Sequence, residues 1–563
     1  MSKKKTEEYL EKAHSLQISR RDFLLAAAGV AAGAALAGCQ SPSPPEKKAE
    51  KAAAPAAAQP KPGGTLIYGM ESESDILDPH ATGGWITARV TYQIFEGLAA
   101  EDLRRADVPY PPIIPGLATE WQVSDGGKTY SFKLRKGVKF HDDTPFDAEA
   151  VKFNYDRMMK KDAPQFYQRA RSYCNYIVQY LSSMEVVDSS TVKFTFKEPF
   201  AEWLPVGLQS QGQGLMISPA AWKKYGNQGI AEHPVGTGPF KFVERIRNEK
   251  IVLERNNDYW GPKPYLDKII YRPFPDSAAR LNALLAGECD LILCPPPDSV
   301  QDLKTKGYTV SQSNAPHVWY FWLNMKDPIV GKLKVRQAMQ MAVDKGKMAT
   351  DLLKGTAKAA GGIIPPGCSS YDPKYDPYPY NPQKAKQLLA EAGYPNGFET
   401  ILMTSVDGSG QMIPVPMAEW IQRDLAAVGI KVKLETYEWI TYLSKMFQSL
   451  KPGYGGYQLS WGMTTNYWID VVANSKRKPP DGVNIGNYAN PKVDQLLLNA
   501  QREMDEAKRI DLYRQVQHTI MEEDASFWPI VNDLNTIILA KKVKGFINPP
   551  EEWFQLSSVW LEG

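Results

Sequence analysis

Thr129-Tyr-Ser-Phe-Lys-Leu-Arg-Lys-Gly-Val-Lys-Phe-His-Asp-Asp-Thr-Pro-Phe-Asp-Ala-Glu149 sets a strand, a turn and a capped helix end to end. Tyr130, Phe132 and Leu134 alternate with Thr129, Ser131 and Lys133, the period-two pattern of a half-buried strand. Asp147 is placed to cap a helix, with Phe146 stapled against Val151. Outward from there the same two patterns recur. Val192, Phe194 and Phe196 alternate, and a first strand begins near Gly63-Gly-Thr-Leu-Ile-Tyr68. Val318-Trp-Tyr-Phe-Trp-Leu-Asn324 is the most aromatic strand; its alternation puts Tyr320 with Trp322 on one face and Trp319 with Phe321 on the other. Helices are expected at 88–98, at 277–286 with Gly287 as the stop, and at 333–344, 415–428 and 507–523. A further helix, 382–392, has Asn381 as cap, Pro382 at its first position and Gly393 as its end. Strands and helices mix throughout, so the class is α/β or α+β.

The N-terminus reads differently. Arg20 and Arg21 precede an apolar, Ala/Gly-rich run from Phe23 to Ala37, then Leu36-Ala-Gly-Cys39. The run is shorter than the roughly 20 residues a membrane-spanning helix needs. Ser19 to Leu24 resembles the twin-arginine export motif, and Leu36 to Cys39 resembles the lipobox of bacterial lipoproteins. That resemblance implies cleavage before Cys39, a lipidated Cys39, and work outside the cytoplasm, periplasmic or at the cell surface. Residues 40–62 are Pro-, Ala- and Lys-rich with no apolar face, as expected of a flexible tether.

With 563 residues, 43% hydrophobic, the chain has room for two or three domains, and its net charge of +3 argues against a nucleic-acid partner. Its 14 Trp and 28 Tyr are the residues that wall small-solute sites. Motifs for chemistry are absent. The six His (His14, His80, His141, His233, His317, His518) show no metal-helix spacing, there is no Cys-x-x-Cys, and Gly236-Thr-Gly238 lacks the third glycine of a dinucleotide loop. Asp142-Asp143 sits in a turn before a helix cap and reads as solvated, not catalytic. Cys289 and Cys294, five apart on one strand, point to opposite faces and should not pair. No catalytic residue, metal or cofactor is therefore expected.

Several stretches together carry a family resemblance: Asp75-Ile-Leu-Asp-Pro-His80, Val90-Thr-Tyr-Gln-Ile-Phe-Glu-Gly-Leu98, Leu134 to Phe146, Gly236-Thr-Gly-Pro-Phe240, Leu253-Glu-Arg-Asn256, Val335 to Asp344 and Asn381 to Leu389. In this order the chain resembles the peptide/nickel-type (family 5) solute-binding proteins of ATP-driven (ABC) transporters, the dipeptide- and oligopeptide-binding group. The resemblance implies a two-lobed periplasmic-binding-protein fold (class II, cluster C type) with an extra domain inserted in the first lobe. Lobe I would comprise residues 63–98, 221–318 and 529–563, the extra domain 99–220, and lobe II 319–528. It also implies a monomer that delivers a peptide or peptide-like solute to permease subunits, with no enzymatic step.

In peptide-binding relatives the ligand backbone pairs with the loop matching Thr82, Gly83, Gly84 and Trp85 and with the strand end matching Trp461, Gly462 and Met463. From the residues alone, Gly83 and Gly84 read slightly better as a plain glycine turn than as a ligand loop. Tyr320, Trp322 and Trp468 are candidate aromatic walls, and Thr464, Thr465 and Asn466 candidate hydrogen-bonders. One departure stands out. Such relatives carry an aspartate just past that strand end to pair with the ligand's ammonium, whereas this chain has no acid there before Asp470. Two other readings stay open: the same fold carrying a metal chelate, and an exported hydrolase on a borrowed scaffold.

Overall fold

The computed structural model describes residues 59–207, 214–408, 410–480 and 482–562. Arg20, Arg21, Cys39 and nearly all of the expected tether lie outside the described residues.

One continuous sheet runs through both lobes. In the first, Thr65–Met70 lies parallel to Lys268–Pro273 and to Leu291–Leu293, with Lys250–Arg255 and Phe240–Ile246 added antiparallel. In the second, Phe398–Ser405 is parallel to Ile430–Tyr437 and to Tyr454–Gly462, and Tyr454–Gly462 pairs antiparallel with His317–Leu323. The thirteen-residue strand Phe527–Leu539 joins them. Its first half pairs with His317–Leu323 and Ala357–Ala359, its second half with Leu291–Leu293 and Thr309–Asn314. Thr309–Asn314 and His317–Leu323 are consecutive strands separated by Ala315-Pro316, so two chain segments cross side by side between the lobes.

His317–Leu323 is buried along its whole length. Val318, Tyr320 and Trp322 enter one core cluster and Trp319, Phe321 and Leu323 the other. A strand covered on both faces needs apolar residues at every position. Each such ring stabilises by about 1.5–3 kcal/mol through burial.

Thr129–Leu134 is one strand of a four-stranded antiparallel sheet, in the order Ala118–Ser124, Thr129–Leu134, Thr191–Phe196, Leu181–Asp188, which has its own core. Asp147 caps Ala148–Met159 by accepting from Ala150 N at 2.9 Å. This inserted domain is pinned to the first lobe by charge. Arg157 and Asp78, both fully buried, form a two-pronged ion pair at 2.6 and 3.0 Å. Arg157 also donates to His80 Nδ1 (3.0 Å), while His80 Nε2 donates to Leu215 O (2.7 Å). Burial, then the Arg157 guanidinium, push His80 down to about 4, so it stays neutral. The Gly236-Thr-Gly238 turn has a packing reason: a side chain at Gly236 would meet Ile94 O at 2.1 Å and one at Gly238 would meet Gln93 O at 2.7 Å.

Boundaries shift in places. The helix expected at 88–98 is Trp85–Ile94, because Gly84 in an extended conformation serves as its N-cap. The last helix is regular over Glu506–His518 and then widens by one residue per turn over Thr519–Glu523. Cys174, Cys289, Cys294 and Cys368 are all free thiols.

Candidate functional site: the contact between the lobes

Trp85 is the first residue of its helix, and the loop before it is tied down locally. Asp75 Oδ1 accepts from Thr82 Oγ1 (2.9 Å) and Thr87 Oγ1 (2.8 Å), and Thr82 Oγ1 accepts from Gly84 N (3.1 Å). Gly84 is left exposed and Gly83 and Trp85 half-buried. The Trp85 ring stacks on Trp553 (centroids 5.3 Å, 26°), which stacks in turn on Tyr92 (5.0 Å, 13°). Its edge meets His317 at 5.0 Å. His317 pairs across the sheet with Gly462, and Gly462 has no side chain because Trp85 fills its space: a Cβ there would lie 2.2 Å from Trp85 Cζ2. The loop 82–85 of one lobe and the strand end 461–463 of the other thus meet face to face.

Charge underlies this contact. Arg89 binds Glu71 and Glu552 (2.8 Å) and donates from Nε to Glu552 O (3.2 Å). Burial drives Glu71 up, but Arg89 and Arg280, with the hydrogen bonds to the carboxyl, together hold it below its usual range. His317 Nε2 lies 3.2 Å from Glu552, and Nδ1 is 3.0 Å from Ser460 Oγ. Burial nonetheless lowers the His317 pKa, so the imidazole is neutral at pH 7. Asp533 and Glu551 are raised well above the usual range by burial, Asp533 next by Glu552 and Glu551 next by Glu101. Among the described residues no group of three His, Cys, Asp or Glu side chains is arranged to hold a metal.

Several expected site residues sit elsewhere. Tyr320 and Trp322 are at most 1% exposed inside the second lobe's core, where the strand is covered on both faces; Trp322 Nε1 donates to Val472 O (3.4 Å). Met463 is fully buried, its N–H donating to Pro316 O (2.6 Å) and its carbonyl accepting from Cys368 Sγ (3.0 Å). Asn466 spends its amide on its own lobe, accepting from Ser370 Oγ and donating to Ser369 Oγ at 2.9 Å. Trp468 Nε1 donates to Thr464 Oγ1 (3.3 Å), and the Trp468 ring packs on Tyr176 of the inserted domain (5.2 Å). These four (Tyr320, Trp322, Met463, Asn466) are buried and packed against or hydrogen-bonded to other groups of the chain. Trp461 is half-buried, and its Nε1, like Thr465 Oγ1, is a buried polar atom with no hydrogen bond among the described residues. Asp470 is not free: it accepts from Asn474 Nδ2 (2.7 Å) and pairs with Arg477 (3.0 Å).

Residues that sequence reasoning did not single out are Trp553, His317, Arg89 and Glu552. Nothing local marks them, since each acquires its role only through partners distant in the chain.

Two lobes, a double crossing and a tryptophan of one lobe seated on a glycine of the other define a hinged binding protein. The family model for bacterial extracellular solute-binding proteins, family 5, matches residues 112–475, well over half of the chain. A twin-arginine translocation signal matches residues 17–37. The chain is 30% identical over 509 residues to the glutathione-binding protein GsiB of Escherichia coli K12, covering 88% of this chain and 94% of that one. It is 32% identical over 471 residues to heme-binding protein A of Haemophilus influenzae, covering 80% and 84%. The structure of the periplasmic binding protein DppA from Helicobacter pylori with the peptide STSA superposes with a TM-score of 0.75 at 28% identity, covering 89% of this chain and 99% of that one. The chain belongs to the family 5 extracellular solute-binding proteins, and it carries a twin-arginine export signal.

Proposed function

We propose that the chain captures a small peptide-like solute between its lobes and hands it, chemically unchanged, to the permease of an ABC transporter. The observation that carries this reading is the seating of Trp85 on Gly462 beside the two crossing segments. A wall made of one residue from each lobe exists only when the lobes are together, which is how a hinged trap couples closure to occupancy. The walls are Gly83, Gly84 and Trp85 on one side and Trp461, Gly462 and Thr465 on the other, with Thr82, Thr464 and Trp468 holding them in place. The lobes divide at Ala315-Pro316 and in the middle of Phe527–Leu539, near Asp533-Leu534, with the inserted domain over residues 99–220. Cys39 carries an acyl anchor that keeps the protein, as a monomer, at the outer face of a membrane.

Because Asp470 already has its cation in Arg477, the solute is not gripped at that strand end through a free ammonium. The deciding experiment is native mass spectrometry of the purified protein, followed by calorimetric titration with whatever co-purifies and with its amino-acetylated form. Retained binding after acetylation is the expected result. Loss of binding on acetylation refutes the ammonium argument, and turnover of the bound solute refutes the non-enzymatic reading.

A further inference from the structure

The inserted domain is fastened to one lobe and merely touches the other. To the first lobe it is joined by the Arg157–Asp78 pair, by Arg169 Nε donating to Ala81 O (2.7 Å), and by His141 N donating to Gly236 O (2.8 Å). Its contacts with the second lobe include Tyr176 against Trp468 and a strip formed by Tyr180 and Phe200 to Glu202. Ala201 N donates to Gln501 O (2.8 Å), and Glu202 lies 3.5 Å from Arg509 Nε. Tyr467, a second-lobe residue, is fully buried in the inserted domain's own core, 5.8 Å from Phe200 and 6.5 Å from Tyr180 by ring centroids.

The two sets of contacts differ in what motion does to them. Rotation about the crossing segments leaves the first set intact, because both of its sides move with the first lobe. The same rotation must pull Tyr467 out of an apolar core and separate Glu202 from Arg509. These groups then contribute free energy only to the closed state, without being part of the walls around Trp85 and Trp461. A contact made in one of two states shifts their ratio by its full worth.

We propose that the strip Tyr180/Phe200–Glu202, acting on Tyr467, Gln501 and Arg509, is a latch that sets how long the closed form lasts. The proposal rests on the hinged-trap reading above. Tyr467, Glu202 and Arg509 are positioning residues in it: they hold the lobes, not the solute.

The test is single-molecule fluorescence transfer on the full chain, with dyes at the exposed Lys263 of the first lobe and Lys386 of the second. Opening rates are compared for the native chain, Tyr467→Ala, Glu202→Gln, Arg509→Gln and the Glu202→Gln/Arg509→Gln double variant, alongside each one's melting temperature. The expected result is opening accelerated about tenfold in Tyr467→Ala and in each charge variant, with the double variant no faster than the singles and melting temperatures of the solute-free forms unchanged. If Tyr467→Ala does not fold, the charge cycle decides alone. Native opening rates in the charge variants, or rates that change only in step with melting temperature, overturn the latch while leaving the trap reading standing. A chain that shows a single inter-dye distance, with and without its co-purifying solute, overturns both.

Discussion

Replacing Gly462 by alanine adds one methyl group at the place where the lobes meet. The new Cβ would sit 2.2 and 2.4 Å from Trp85 Cζ2 and Cη2 and 2.9 Å from His317 Nε2. Carbon atoms rest at about 3.5–4.0 Å, so Trp85 would have to retreat by more than an ångström. It has nowhere to go. Trp553 is stacked behind it, Tyr92 stacks behind Trp553, and Trp553 Nε1 is held by Glu101 at 2.7 Å. Overpacking of this kind costs about 1–3 kcal/mol. Because the clash exists only when the lobes are together, the cost falls on solute affinity, as a loss of about 5- to 150-fold. The solute-free melting temperature should hold, since alanine is at least as comfortable as glycine in a strand. Titration calorimetry with the co-purified solute reads the affinity, and solution scattering reads the compaction on binding. Native affinity with full compaction would refute the reasoning, because it would mean that Trp85 and Gly462 do not meet in the bound form.

Asp78→Asn leaves Arg157 charged in a fully buried site, so unfolding free energy should drop by about 3–5 kcal/mol, measured by calorimetry. Glu96 predicts a pH dependence. Its buried carboxyl accepts from Tyr259 OH (2.7 Å), Trp260 Nε1 (2.7 Å) and Thr237 Oγ1 (2.8 Å), yet burial still pushes it up from 4.5 to about 7. Between those values the folded chain binds a proton that the unfolded chain has released, so stability falls as pH rises, by about 3 kcal/mol in all. Denaturant midpoints from pH 4 to 8 should trace this decline, and Glu96→Gln should remove that part of it. Gly238→Ala drives a methyl into backbone at Gln93 and Ile94 and should destabilise the chain by about 1–3 kcal/mol without touching the solute walls, as thermal unfolding would record.

What the sequence disclosed was local. Asp147 and Asn381 cap the helices they precede, and Gly287 and Gly393 end theirs at positive φ, because caps and stops depend on a few neighbouring backbone groups. Alternation also told the truth about Trp319, Tyr320, Phe321 and Trp322, which split into two sets. What alternation could not say is what covers each set. A strand end open to a cleft and a strand buried between two helical layers carry the same letters, so Tyr320 and Trp322 read as walls and fold as core. The glycines at Thr82–Trp85 marked a turn. The tryptophan that backs it, Trp553, was not legible, because only the returning C-terminal segment brings it there. Asp78 and His80 carry no local sign of an ion pair, and the buried Arg157 that gives them their purpose follows two strand pairs later.

Asp470 carries the argument furthest. The resemblance to peptide-binding relatives implied an aspartate past the strand end, offered to the ligand's ammonium, and the sequence showed threonine and asparagine in its place. By itself that could have been a shift of one helical turn, with Asp470 reaching back to do the same work. The charges around Asp470 weigh against this alternative. Asp470 is 2% exposed, and Arg477 and Asn474 already take its carboxylate oxygens at 3.0 and 2.7 Å. A buried carboxylate so satisfied would have to break a charge-assisted bond, and leave Arg477 unpaired, before it could receive an ammonium. At this strand end the polar atoms that lack partners among the described residues include Trp461 Nε1 and Thr465 Oγ1. An indole N–H only donates and a hydroxyl does either. Both of these groups can donate, and neither carries the negative charge that would pair with an ammonium.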